Sequence, residues 1–485
     1  MSRKRTSLLI AAPLAALTCA AAATAALTSN SNATTAAPAA ASSPIRSAAD
    51  AGVLSLAGAR AQQRAGAHVT TKAAGQSIDH PLLPSECIAR YGSPCYGPAQ
   101  LRHLYGADKL GPDAGAGRTV ALIEPGVNPV LGHDLEIYSK KTGLPKPKLT
   151  VIKVGHPKEL DPSDYVQAIT AEELELDAEM IHTMAPGARI LDIQTEKDVA
   201  NTFSGFKGAI DTIAALSKHH VDAVSLSYGW FEGNYDEAYP GKGPDVIRSQ
   251  AAGLATAARH RMTVLSANGD TGATGPDLAG DALYSKQSAA FISTSPLVTA
   301  VAGTELHADD RGNRTTPDTV WGEHDGDGFA TGGALSEAFT RPNYQDAIRN
   351  IVGDHRGNAD VSMDGSVASR VWMYTSRYQV LSGQQPGWVR TAGTSAASPL
   401  FAGIVADAAQ VAGRPLGPIN AALYQLGRTP ASRTAAGIAD VTEGCNTTFA
   451  VQGYCARPGT DLPSGIGTVE DASRFVHALA TAARP

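Results

Sequence analysis

Positive charge is not in excess in this chain. Forty Lys and Arg face 46 Asp and Glu over 485 residues, a net charge of −6. That balance excludes the basic surface a nucleic-acid binder needs, so no nucleic-acid partner is expected. Charged residues are scarce too, at 18%, while 43% are hydrophobic, enough for a large core. No internal repeat is evident. Cysteines number five. Cys19 lies in an N-terminal apolar run, which leaves Cys87, Cys95, Cys445 and Cys455. An even set favours disulfides, and the short separations suggest Cys87–Cys95 and Cys445–Cys455, with free or metal-bound thiols as the other reading.

The sequence also has no His-Gly-Thr stretch, which bears directly on residues 391–401, Thr-Ala-Gly-Thr-Ser-Ala-Ala-Ser-Pro-Leu-Phe. Gly393 permits close backbone approach, and Pro399 is expected in the first helical turn, where proline is tolerated. A serine nucleophile needs a base to take its proton. Carboxylates that could act as that base occur in residues 170–184, which read Thr-Ala-Glu-Glu-Leu-Glu-Leu-Asp-Ala-Glu-Met-Ile-His-Thr-Met, with Ala-Pro-Gly as the stop. At 3.6 residues per turn, Leu174, Ala178, Ile181 and Met184 share a face, and Glu173 and Asp177 fall within that arc. Glu172, Glu175, Glu179 and His182 are expected to look outward. An inward carboxylate pair at i and i+4 is costly unless paired, protonated or functional. The plainer alternative makes Glu173 a capping-box partner of Thr170 and Asp177 an isolated inward acid.

Gly-Thr-Ser-x-x-x-Pro resembles the nucleophile segment of subtilisin-like serine peptidases. Together with Glu-x-x-x-Asp on a helix far upstream, it resembles the sedolisin family of serine-carboxyl peptidases, and kumamolisin-type members in particular. The likeness runs from about Tyr96 to Val469. Further matching segments are Val-Ala-Leu-Ile-Glu (120–124), Ser-Leu-Ser-Tyr-Gly (225–229), Asn-Gly-Asp-Thr-Gly (268–272), Ser-Pro-Leu-Val-Thr-Ala-Val-Ala-Gly-Thr (295–304) and Thr-Gly-Gly-Ala-Leu-Ser (331–336). The resemblance implies that Ser395 is the nucleophile, Glu173 its base and Asp177 the acid that orients Glu173. It makes Asp270 an oxyanion donor, which must be protonated to donate. Without the resemblance, Asp270 reads as part of a Gly-Asp-Thr-Gly turn. Glu124 matches a glutamate that extends the acidic hydrogen-bond chain. Tyr228 stands where kumamolisin-like members carry tryptophan, and is expected to cover the site and donate a hydrogen bond.

The resemblance also implies a calcium site. Asp440 and Asp461 would supply carboxylates and Val441, Arg457 and Gly459 carbonyls, an all-oxygen set suited to Ca²⁺. Alone, the two aspartates would be ordinary loop acids. Arg457 departs from the glycine common at its position. Glu323-His324-Asp325-Gly326-Asp327-Gly328 looks like a metal loop but lacks EF-hand spacing, so a solvated turn is expected.

Arg3-Lys4-Arg5 before an apolar run to about Ala26 predicts a secretory signal peptide over 1–26. Residues 27–84 read as a flexible leader or short pro-segment, unlike the long folded pro-domain that the resemblance implies. Residues 85–485 form the peptidase domain. Apolar strands at 119–123, 189–193, 222–226, 262–266 and 297–302 alternate with helices at 168–184, 202–217, 244–260 and 396–412. This predicts a subtilisin-like α/β fold with a mainly parallel central sheet flanked by helices. The expected protein is a secreted, monomeric endopeptidase that hydrolyses peptide bonds of protein or peptide substrates in acid, with Ca²⁺ and with no membrane association once the signal is removed. The alternatives are a catalytically weak peptidase-like binding protein and a neutral Ser-His-Asp hydrolase using His182.

Overall fold

Runs of small and β-branched residues build the centre of the molecule. The computed structural model describes residues 78–196, 202–280, 282–323, 328–378, 386–448 and 450–483. The signal peptide, most of the leader and positions 324–327 of the acidic loop lie outside them. Ten strands form the main sheet: β1 Thr119–Pro125, β2 Lys148–Lys153, β3 Arg189–Thr195, β4 Ala223–Leu226, β5 Thr263–Ala267, β6 Val298–Glu305, β7 Thr319–Val320, β8 Val361–Asp364, β9 Ile438–Ala439 and β10 Thr468–Val469. Their order is β9-β10-β8-β6-β5-β4-β1-β3-β2, with β7 paired to β6. All neighbours are parallel except β9–β10 and β6–β7. Strand β1 is buried throughout because helices cover both faces of the sheet.

Helices α1 Leu131–Thr142, α2 Tyr165–Met184, α3 Phe203–Ala215, α4 Thr394–Ala412 and α5 Ala472–Ala482 include the main covering elements. One core joins the sheet to α1, α2, α4 and α5, and a second packs α3 on the opposite face. Helices α2 and α4 approach closely at Gly403, where a Cβ would stand 2.6 Å from Met184 Cβ. Expected and observed elements match closely, with one break. The helix expected over 244–260 is two, Gly243–Ala251 and Leu254–Arg259. Gly253 lies at the break, against Ile210.

Helix α2 corrects two expectations. It starts at Tyr165 with Asp164 as its cap, the Asp164 carboxylate accepting from the N–H groups of Val166 and Gln167. Glu173 is therefore in the helix interior, not in a capping box with Thr170. Glu172, Glu175, Glu179 and His182, expected to face outward, are all fully buried. Packed among α1, α4 and the sheet, the helix has no solvent face, so amphipathic periodicity does not sort its residues. Donors from segments distant in sequence meet two of the misjudged acids: Asn128 Nδ2 donates to Glu175 Oε1 at 3.0 Å and Tyr374 N to Glu179 Oε2 at 3.0 Å. Pro399 is a further correction, since it stands in the second turn of α4, inside the helix.

A smaller sheet of Cys95–Tyr96, Arg370–Thr375 and Gly387–Thr391 runs directly into the start of α4. The disulfides Cys87–Cys95 and Cys445–Cys455 are both formed. The end of the expected leader is part of the domain: Leu82 accepts a hydrogen bond from Trp372 Nε1 at 3.1 Å, and a helix begins at Pro84. Among the described residues, no helix is long and apolar enough to cross a membrane.

Candidate active site

Ser395 is the second residue of α4, at the positive end of the helix dipole, and only 4% exposed. Gly393 before it has φ +123°, a conformation that disfavours side chains. A Cβ there would lie 3.0 Å from Asp270 Oδ2, so glycine is what lets the Asp270 carboxyl reach the helix start. Thr394 clamps that carboxyl. Its N–H and its Oγ1 both donate to Asp270 Oδ1 at 2.7 Å, while Gly269 N donates to the same hydroxyl at 3.2 Å. Fixing Oδ1 in this way leaves Oδ2 as the oxygen beside Gly393.

The acid pair comes from α2. Glu173 and Asp177 are one turn apart, each 5% exposed. Burial, with the nearby Asp177 and Asp270 carboxyls, pushes the Glu173 pKa well above the carboxylate range, and the Ser395 side chain close by works against them. Glu173 Oε1 is buried without a hydrogen-bond partner. Burial likewise raises Asp177 to about 8, opposed by a 2.6 Å hydrogen bond donated by Ser227 Oγ. The structure thus brings together all four residues expected from the sequence to carry the chemistry. Ser227 and Thr394, which bind two of them, were not singled out. Their signal was present, since both lie inside the quoted Ser-Leu-Ser-Tyr-Gly and Gly-Thr-Ser segments.

Glu124 is buried at the end of β1. It faces Asp192 on the adjacent strand β3, and burial with that neighbour's charge raises its pKa strongly. Tyr228 donates a hydrogen bond as expected: its ring packs near Phe206 in the core and its hydroxyl donates to the Ile123 carbonyl at 2.7 Å, a backbone acceptor. His182 sits nine residues from Glu173 along α2, roughly 13 Å by helical rise. Its Nε2 bonds the Pro145 carbonyl at 2.9 Å, and burial lowers its pKa to about 4. A neutral imidazole tied to another loop is not placed to serve Ser395.

The C-terminal loop gathers the residues of the expected cation site. Asp440 Oδ2 accepts from Gly459 N at 2.8 Å and Asp461 Oδ2 from Arg457 N at 3.0 Å. Asp461 Oδ1 accepts from the N–H and hydroxyl of Ser464. Asp440 Oδ1 is buried without a hydrogen-bond partner, 3.8 Å from Arg433 Nε. Burial chiefly, with the Asp440 charge contributing, raises Asp461 to about 6. A buried carboxylate oxygen without a hydrogen-bond partner, beside a second carboxylate, is a hard-oxygen donor set that fits a hard ion. Among the described residues, no group of three or more acidic, His or Cys side chains converges in this way. Ligation here would rest on two carboxylates and main-chain carbonyls, in a loop that the Cys445–Cys455 bridge closes.

Comparison with known proteins defines the class. The Subtilase family profile matches residues 141–420, more than half of the chain, and the chain belongs to that family. Kumamolisin of Bacillus sp. (strain MN-32) is 32% identical over 374 residues, covering 73% of this chain and 58% of the relative. Sedolisin of Pseudomonas sp. (strain 101) is 27% identical over 402 residues, covering 81% and 63%. Tripeptidyl-peptidase 1 of Homo sapiens is 31% identical over 263 residues, covering 51% and 41%. The chain therefore spans between 41% and 63% of the length of these relatives. The structure of Pseudomonas sedolisin, a serine-carboxyl proteinase complexed with two molecules of pseudo-iodotyrostatin, matches with a TM-score of 0.66 at 24% identity, over 79% of this chain and 98% of that one. That likeness bears on the fold. Within the subtilases, the chain is a member of the sedolisin family.

Proposed function

We propose that this chain is a secreted serine-carboxyl endopeptidase that hydrolyses peptide bonds in acid. The observation that carries the reading is the placing of the helix-opening Ser395 beside the buried Glu173, with Asp177 one turn along the same helix and Asp270 fixed by Thr394. Ser395 Oγ attacks the substrate carbonyl as Glu173 takes its proton. Asp270, protonated on Oδ2, donates to the developing oxyanion. Glu173 then returns the proton to the leaving amine, and water attacks the resulting ester by the same route in reverse. Asp177 orients Glu173 and spreads the charge that it acquires. Two neighbouring buried carboxyls hold one proton between them more readily than none, so the pair works as a unit. Asp270 must keep its proton while Glu173 must give up its own, so the reaction belongs to a bounded window of acidic pH, widened on the Glu173 side by the Ser395 and Ser227 hydroxyls that favour the ionised acid pair.

Calcium is proposed for the C-terminal loop, with the Asp440 and Asp461 carboxylates and the Val441, Arg457 and Gly459 carbonyls as ligands. It would neutralise the paired acids and fix a loop that packs against the sheet. Export through the 1–26 signal, a monomeric state, and protein or peptide substrates complete the proposal. The test is a pH series on a denatured protein substrate, comparing wild type with Ser395→Ala. Acid hydrolysis lost in the variant is the expected result. Equal hydrolysis by both would leave a peptidase-like protein that does not use this serine.

A further inference from the structure

One hydroxyl between the acid pair and the nucleophile has no part in these proton transfers. Ser227 follows β4 at the centre of the sheet and is buried. Its Oγ stands 2.6 Å from Asp177 Oδ1 and 3.4 Å from the Ser395 carbonyl oxygen. The second contact has its origin in the sequence. In an α-helix a carbonyl accepts the N–H four residues on, and four residues after Ser395 is Pro399, which has no N–H. The proline thus frees the nucleophile's own carbonyl, and Ser227 is within reach of it.

A hydroxyl carries one proton, so Ser227 can donate fully to only one of these two acceptors. We propose that Ser227 is a positioning residue of the reaction: it holds Asp177 Oδ1 as an acceptor, so that the proton shared by the acid pair stays between Asp177 Oδ2 and Glu173. When Asp177 takes up a further proton at Oδ1, that O–H donates to the Ser227 hydroxyl, which turns its own proton to the Ser395 carbonyl. Ser227 then links the charge of the acid pair to the backbone of the nucleophile. The titratable groups that interact with Asp177 are Glu173 on α2, Glu124 at the end of β1 and the Tyr228 phenol beyond β4, with Asp270 facing Glu173. These are acidic or neutral, so the Ser227 bond is a principal support of the Asp177 anion, in agreement with its lowering effect there.

This inference rests on the serine-carboxyl reading, and its test separates the two. kcat and KM are measured from pH 2 to 7 for wild type, Ser227→Ala, Ser227→Thr, Pro399→Ala and Ser395→Ala. In Ser227→Ala, kcat is expected to fall roughly ten- to a hundredfold with KM little changed, the range for one hydrogen bond to a charged group. The acidic limb of the kcat profile moves toward neutral pH, because the anion of the pair has lost a donor. Ser227→Thr restores the hydroxyl and brings the limb back. Pro399→Ala gives the Ser395 carbonyl a helical partner and moves the limb the opposite way, to lower pH. A Ser227→Ala profile superimposable on wild type overturns the proposal, as does an equal loss at every pH with a lowered melting temperature. If Ser227→Ala does not fold, Ser227→Cys carries the same expectation with a smaller shift. Ser395→Ala retaining wild-type hydrolysis defeats the peptidase reading itself. Ser395→Ala inactive beside an unshifted Ser227→Ala defeats only the role of Ser227.

Discussion

Asp192→Asn tests the electrostatics of the buried acids without touching the residues assigned to chemistry. Asp192 is fully buried on β3. Its Oδ2 accepts from Gln194 Nε2 at 2.8 Å, while Oδ1 is buried without a hydrogen-bond partner. Burial raises its pKa from 3.8 to about 6. A folded-state pKa above the unfolded value means that the folded protein holds its proton longer. Below pH 3.8 both states are protonated and the site has no effect on stability. As pH rises toward 6 the folded state loses ground, and above 6 the loss is complete. About two units at ~1.4 kcal/mol each give a loss of roughly 3 kcal/mol at neutral pH. Asparagine keeps the acceptor for Gln194, does not titrate, and offers an amide to Glu124. The variant should therefore melt higher than wild type at pH 7, by an amount corresponding to ~3 kcal/mol, with the advantage vanishing near pH 3.5. Thermal melts of both proteins across that range are the assay. A difference in melting temperature that does not change with pH would refute the reasoning.

Chelation should lower the melting temperature of wild type. A ligand at a hundred times its Kd adds about 2.7 kcal/mol to the folded state, and Asp461→Ala should lose most of that gain. A wild-type melt unchanged by chelator would remove calcium from the account. Replacing Asp270 with Asn keeps a neutral donor that cannot ionise. Asp270→Asn should be slower than wild type at the acidic optimum yet lose less activity toward neutral pH, and an unchanged profile shape would count against Asp270 as oxyanion donor.

The residues assigned to chemistry were legible because each sits in a short segment with its own backbone demand. Gly393 must adopt positive φ for Asp270 to approach, and Glu173 and Asp177 must be one helical turn apart to act together. The strands were legible because a parallel sheet covered on both faces needs near-continuous apolar runs such as Val120–Ile123. The environment of α2 was not legible. Periodicity reports burial only where a helix has one wet side, and Glu172, Glu175, Glu179 and His182 belong to a helix enclosed on all sides. Their partners, such as Asn128 and the Tyr374 N–H, come from distant segments that no local pattern names. Tyr228 shows the same limit. Its identity promised a hydrogen-bond donor, but only the fold shows that the acceptor is the Ile123 carbonyl. Ser227 escaped for a related reason, since its importance depends on Pro399 freeing a carbonyl 168 residues away.

The central claim is that a carboxylate, not an imidazole, takes the proton of Ser395. Turnover of a denatured protein substrate at the acidic optimum by Glu173→Gln and His182→Ala, each against wild type, tests it most directly. Glu173→Gln should lose activity by about a hundredfold or more, the usual worth of a general base, because glutamine cannot accept the proton. His182→Ala, in a protein that remains folded, should stay within a few-fold of wild type. Full activity in Glu173→Gln, with activity lost only in a folded His182→Ala, would contradict the account.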